Sequence, residues 1–147
     1  MLVRESGVTV RKTRKRSSGV AMTASDDWGI EAPAPRGAIG FGVFAHEVGH
    51  QVLHRGNSKP RWLEEIEAWE YALAQFERFE LRGVEQARAR AARSLRYAAG
   101  KAARRCSPAT AQAIVDRLPA WVLVYDDPRD AVTTDVFELL VKAGARL

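Results

Sequence analysis

Cysteine is all but missing from this sequence: Cys106 is the only one in 147 residues. A lone thiol excludes an internal disulfide, and it excludes a zinc site built from cysteines. Long apolar runs are missing too. The longest, Gly37 to Ala45 and Leu118 to Tyr125, fall well short of the roughly 20 residues a bilayer-spanning helix needs. Arg4 and Glu5 follow directly on Met-Leu-Val, which leaves no apolar segment for a secretory signal. No internal repeat and no low-complexity linker interrupts the chain. These absences point to a cytoplasmic protein with no membrane partner.

What is present fits one globular domain. The chain is 46% hydrophobic and 28% charged, and its length matches a prior of roughly 150 residues per domain. A chain this size can bury one core without covalent staples. The expectation is a single domain over 1–147, of class α+β. It divides into a β region at 1–36, a helix pair at 38–82 and a helical extension at 83–147.

The formal net charge is +5, and its distribution is uneven. Basic residues cluster from Arg11 to Arg16, and again from Arg82 to Arg105 with Arg88, Arg90, Arg93, Arg96 and Lys101 between. An acidic segment holding Glu64, Glu65, Glu67, Glu70, Glu77 and Glu80 separates them. Basic clusters attract polyanions, so nucleic acid is one partner to consider. The plainer reading is a solvated face, because arginine is a good helix former that keeps an alanine-rich helix soluble.

Alternation of Val8 with Val10, Val20 with Met22 and Trp28 with Ile30 predicts three short strands. Turn signals at Ser17-Ser18-Gly19 and Ser25-Asp26-Asp27 separate them, which predicts an antiparallel meander. From about Ala38 the pattern turns helical and runs to Arg55, with Gly56 as the residue after the cap. Asn57-Ser58-Lys59 connects to a second helix opened by Pro60. Trp62, Ile66, Trp69, Leu73 and Phe76 give that helix one apolar stripe, and it is expected to end near Gly83. An alanine- and arginine-rich helix follows to about Arg105, with Leu95, Ala99 and Ala102 facing inward. Ser107-Pro108 is an N-cap with proline at the first helical position, opening a helix to about Leu118. Trp121 to Tyr125 reads equally as a strand or a buried connection. Asp135 and Glu138 are spaced like a capping box before a last helix closing at Gly144.

All three histidines, His46, His50 and His54, fall within nine residues of one another on the first long helix. The first two frame His46-Glu47-Val48-Gly49-His50. Residues four apart project from nearly the same helix face, so both imidazoles can reach one small cation. Glu47 is rotated by about 100° from His46. It therefore flanks the cation instead of binding it, within reach of water that the cation activates. Two neutral imidazoles and one carboxylate suit zinc with a position left for that water. The apolar segment before the motif places it on a buried helix.

The third ligand sets the subclass. A metzincin would need a histidine where Gly56 stands, so a glutamate of the second helix is the alternative. Turning that helix by about 100° per residue puts Glu65 about 60° from the apolar stripe and Glu70 about 80° to its other side. Glu64 and Glu67 point largely to solvent on the same count. Ala68 and Ala72 flank the Glu65 side and let two helices approach closely. Glu65 is the expected ligand and Glu70 the fallback. His54 continues the histidine row, but each turn carries a side chain about 6 Å further along the axis, which disfavours a third imidazole on the same ion. Contact with one of the ligands, contact with substrate or a helix-end position suit it better.

The stretch from Phe44 to Ala72 resembles the ImmA/IrrE-type metallopeptidases, small gluzincin-like proteins of bacteria, phages and mobile elements. The matching pieces are His46-Glu47-Val48-Gly49-His50, Val52-Leu53-His54 and Glu65-x-x-Ala68-x-x-Tyr71-Ala72. The resemblance implies a small zincin-like domain with a short antiparallel sheet packed on the histidine helix. It implies zinc on His46, His50 and Glu65, with Glu47 as general base. It covers about a fifth of the chain, and the leucine- and proline-containing ending usual after the second helix is absent. No helix-turn-helix domain is evident, so a repressor-cleaving role does not transfer.

The expected function is zinc-dependent hydrolysis of peptide bonds in a specific protein substrate. The N-terminal strands would align an extended substrate by β-augmentation, and Tyr71, Tyr97 and His54 are possible oxyanion donors. Tyr71 lies nearly opposite the apolar stripe, which counts against it. The alternative is an inactive or structural zinc protein acting as a basic nucleic-acid- or protein-binding adaptor.

Overall fold

A computed structural model describes residues 1–16, 18–22, 29–56, 58–124 and 136–147. The protein is α+β, and among the described residues it has seven helices and one three-stranded mixed sheet. Two compact units divide it: Met1–Pro60 with Glu67–Arg88, and Arg61–Ile66 with Ala89–Leu147.

The first unit opens with a short helix, α1 (Leu2–Ser6), where the sequence predicts only β structure. Five residues with one buried anchor, Leu2, are too few to show a helical period. The sheet consists of β1 (Val10–Arg14), β2 (Val20–Met22) and β3 (Gly29–Pro33), in the order β1-β3-β2. The expected antiparallel meander is thus corrected. β2 pairs antiparallel with β3, but β1 runs parallel to it, with a register shift between Val10 and Lys12. Burial decides the order. Every residue of β3 except the half-buried Glu31 is buried, with Ile30 and Ala32 almost fully so, and it takes the middle. β1 is charged and exposed along most of its length, as suits an edge strand. Ser17 and the turn at Ser25-Asp26-Asp27, with Trp28, lie outside the described residues.

Helix α2 (Gly37–His54) is buried without a break from Gly42 to Gln51. Such a helix must be covered on more than one side. β3 covers one side, and the Gln51 amide donates to the Gly29 carbonyl at 3.2 Å. Helix α3 (Arg61–Arg78) covers another. Phe41 meets Phe76 edge-on with centroids 5.1 Å apart, His46 stacks on Trp69 at 4.4 Å, and His54 reaches Glu67. Positions rise along α2 as they fall along α3, so the two helices are antiparallel. They approach closely at Gly49, where a Cβ would sit 3.1 Å from the Ala68 carbonyl oxygen and 3.0 Å from the Tyr71 ring. Ala68 and Ala72 are fully buried. Small residues therefore set the spacing, Ala68 and Ala72 as the sequence predicts and Gly49 in addition.

α3 stops at Arg78, short of the Gly83 expected from sequence. Its apolar stripe ends at Phe76, and Glu80 adopts a left-handed backbone that turns the chain. Arg78 pairs with Glu5 at this end. Gly83 instead begins α4 (Val84–Ala103).

In the second unit the rest of α4 buries Ala91, Ala92, Leu95, Ala99 and Ala103, while Ala102 is half-buried. Arg96 donates to the Val122 carbonyl at 3.0 Å, tying α4 to α6 (Ala120–Leu123). That short helix answers the question left open at Trp121; Tyr125 lies outside the described residues. α5 (Pro108–Arg117) begins as expected, with the Ser107 hydroxyl accepting from the Thr110 N–H at 3.2 Å. Changing Ser107 to Ala should cost about 1 kcal/mol, read from the midpoint of chemical denaturation. α7 (Val136–Lys142) follows, and Gly144 ends it at positive φ. Asp135 of the expected capping box lies outside the described residues. Among those residues no helix is long and apolar enough to cross a membrane.

Candidate metal centre

His46 and His50 sit one turn apart on the buried middle of α2, 6% and 1% exposed. Their Nε2 atoms are 3.1 Å apart. A tetrahedral ion with bonds of about 2.0–2.1 Å requires two ligand nitrogens about 3.3 Å apart, so this pair already has close to the required separation. Trp69 stacks flat on His46, at an interplanar angle of 30°, and holds that ring in place.

Glu65 completes the group. His46, His50 and Glu65 each offer a ligand atom, and the three atoms lie within 4.8 Å of one another. Glu65 precedes Glu67 by two residues on the unbroken helix α3, and Glu67 is in reach of His54. Its position beside the imidazoles follows from that helix, with its side chain 12% exposed. Arg61, one turn earlier, pairs with the Glu65 carboxylate at 2.6 Å. Two imidazole nitrogens and a carboxylate oxygen are a donor set for a borderline divalent cation. The residues present therefore fit a metal ion.

The fallback, Glu70, is exposed. Glu64 and Glu67 are less exposed than the helical turn count suggests, at 15% and 22% for their side chains. Glu64 lies 3.4 Å from Arg61. Glu67 accepts from Lys59 at 2.8 Å and faces His54 Nε2 at 3.3 Å. His54 is 2% exposed, and its ring centroid is 5.5 Å from that of His50. It is outside the three-ligand group, as the rise per turn predicts. The Glu67 contact could not be read from an angle measured against one helix's stripe, because it depends on where α2 ends beside α3.

Glu47 is 5% exposed and is not one of the three grouped ligands. Gly19, in the segment leading to β2, approaches it so closely that a Cβ there would overlap the Glu47 side chain. With a Cβ at this position the Glu47 side chain would have to shift. Tyr71 differs from the expectation. It is half-buried, with its ring against Gly49 instead of pointing away from α2. The small residue opposite makes room for it. Burial pushes its phenol above the ordinary value, opposed by Arg78 and reinforced by Glu5, so the hydroxyl stays protonated at neutral pH. Tyr97 is exposed.

No family model, no curated protein and no solved structure matches the chain.

Proposed function

We propose that the protein is a zinc-dependent metallopeptidase of the ImmA/IrrE type, acting on peptide bonds of a specific protein substrate. The observation that carries this reading is the convergence of His46, His50 and Glu65 to within 4.8 Å, with a buried carboxylate, Glu47, one residue after the first of them. A purely structural metal site has no need of that glutamate.

His46, His50 and Glu65 would hold the ion. Bound there, zinc would polarise a scissile carbonyl and lower the pKa of a water towards about 7. Glu47 takes the proton of the attacking water on a carboxylate oxygen and gives it to the departing amine. Its burial keeps competing water away. Arg61 orients Glu65 through its 2.6 Å ion pair, since a ligating carboxylate works best when its other lone pairs are engaged. β2 is an edge strand, and the chain entering it lies against Glu47. An extended peptide added to that edge would run beside the general base.

Metal analysis of the purified protein tests the reading. The parent chain should carry a stoichiometric complement of zinc, and His50→Ala and Glu65→Gln should each lose it while Glu70→Gln keeps it. Zinc retained in full by the Glu65 variant would overturn the ligand set.

A further inference from the structure

In the second unit, a pocket of about 470 Å³ has Glu65 in its wall. The first turn of α3 supplies Arg61, Trp62 and Glu65, and α4 supplies Ser94, Tyr97 and Lys101. Spacings of three and four put those α4 residues on one helix face, and Ala98 and Ala102 beside them leave the floor open. Its lining is rich in donors. Ser94 and Tyr97 carry hydroxyls, Lys101 an ammonium and Arg61 a guanidinium. The one carboxylate, Glu65, is engaged by Arg61 at 2.6 Å, and Arg61 also faces Glu64. Lys101 is exposed and makes no ion pair with another described residue. Neither Ser94 nor Tyr97 has a hydrogen-bond partner among the described residues. The pocket therefore offers hydrogens to a ligand and asks for an acceptor with negative charge, while Trp62 and Tyr97 supply apolar walls for a short alkyl stem.

We infer that this pocket is a specificity subsite that receives an acidic side chain of the peptide substrate, with Lys101 as its charge partner. The inference rests on the metallopeptidase reading, because it is Glu65 that joins the pocket to the metal centre. Glutamate suits it better than aspartate, since the longer stem spans the aromatic walls before the carboxylate meets Lys101.

The test separates binding from hydrolysis. Fluorescein-labelled peptides Ala-Ala-X-Ala-Ala, with X as Glu, Gln or Lys, are titrated by anisotropy against zinc-loaded protein carrying Glu47→Gln. The Glu peptide should bind about tenfold tighter than the Gln peptide, as a charge-assisted contact provides. Adding Lys101→Glu should remove that preference and favour the Lys peptide. Equal binding of the Glu and Gln peptides, no detectable binding, or a preference unmoved by Lys101→Glu would overturn the subsite. Hydrolysis is read separately with parent protein on the same peptides. A preserved preference without cleavage would count against the peptidase reading and leave the subsite standing. Cleavage without a preference would do the reverse.

Discussion

On the proposed function, Glu47→Gln should leave the protein loaded with zinc and remove the peptidase activity proposed for it. Loss of a general base costs typically 10²–10⁴-fold in rate, and glutamine keeps the size of the side chain while giving up its basicity. Zinc content should not change, because the three grouped ligand atoms belong to His46, His50 and Glu65. The pairing of readouts makes the result informative. Activity lost with zinc intact assigns Glu47 to chemistry; activity lost together with zinc assigns it to the metal's support. Full activity would remove it from the mechanism. The adaptor alternative predicts something else again: no hydrolysis from the parent chain, and salt-dependent binding to DNA. A degenerate peptide library read by mass spectrometry is the suitable assay, because an enzyme with one natural partner gives little signal on generic substrates.

Trp69→Ala should destabilise the protein by about 3–5 kcal/mol, the range for emptying a buried aromatic site. Trp69 is 1% exposed and is the largest of the fully buried side chains among the described residues. It also stacks on His46 at 4.4 Å, so its removal frees a proposed metal ligand to turn. Zinc affinity should fall about 10–100-fold, as when an outer support of a ligand is lost. Trp69→Phe separates the two roles. It keeps an aromatic face against His46, and no hydrogen bond to a described residue is given up, since the indole N–H makes none. That variant should keep most of the zinc affinity and lose much less stability. Denaturant unfolding with and without zinc measures both effects. Equal zinc affinity in the parent and Ala variants would show that the stacking does not position His46.

The pairing of His46 with His50 in the candidate metal group is legible in the sequence because helix geometry is local. A spacing of four fixes the angle between two imidazoles whatever the fold does. Glu65 was legible for a related reason: the apolar stripe of α3 marks the buried direction, and Ala68 with Ala72 marks the side of close approach. Ser107 announced its helix through a hydrogen bond spanning three residues. Each of these features is decided within a few turns of chain.

The sheet was different. Alternation shows that a segment is a strand, but it carries no record of the strand's partner or direction. Burial of Ile30 and Ala32 places β3 in the middle of the sheet, and β1 joins it in parallel. Tyr71 was misplaced for the same reason, since the turn count on α3 could not register the space left by Gly49 on another helix. The sequence alone determined the long helices and which three residues, His46, His50 and Glu65, come together as a group that could hold a metal ion. Only the tertiary structure decided strand order, the Glu67 contact of His54 and the closeness of Gly19 to Glu47. Those depend on contacts between distant segments, which no local period encodes.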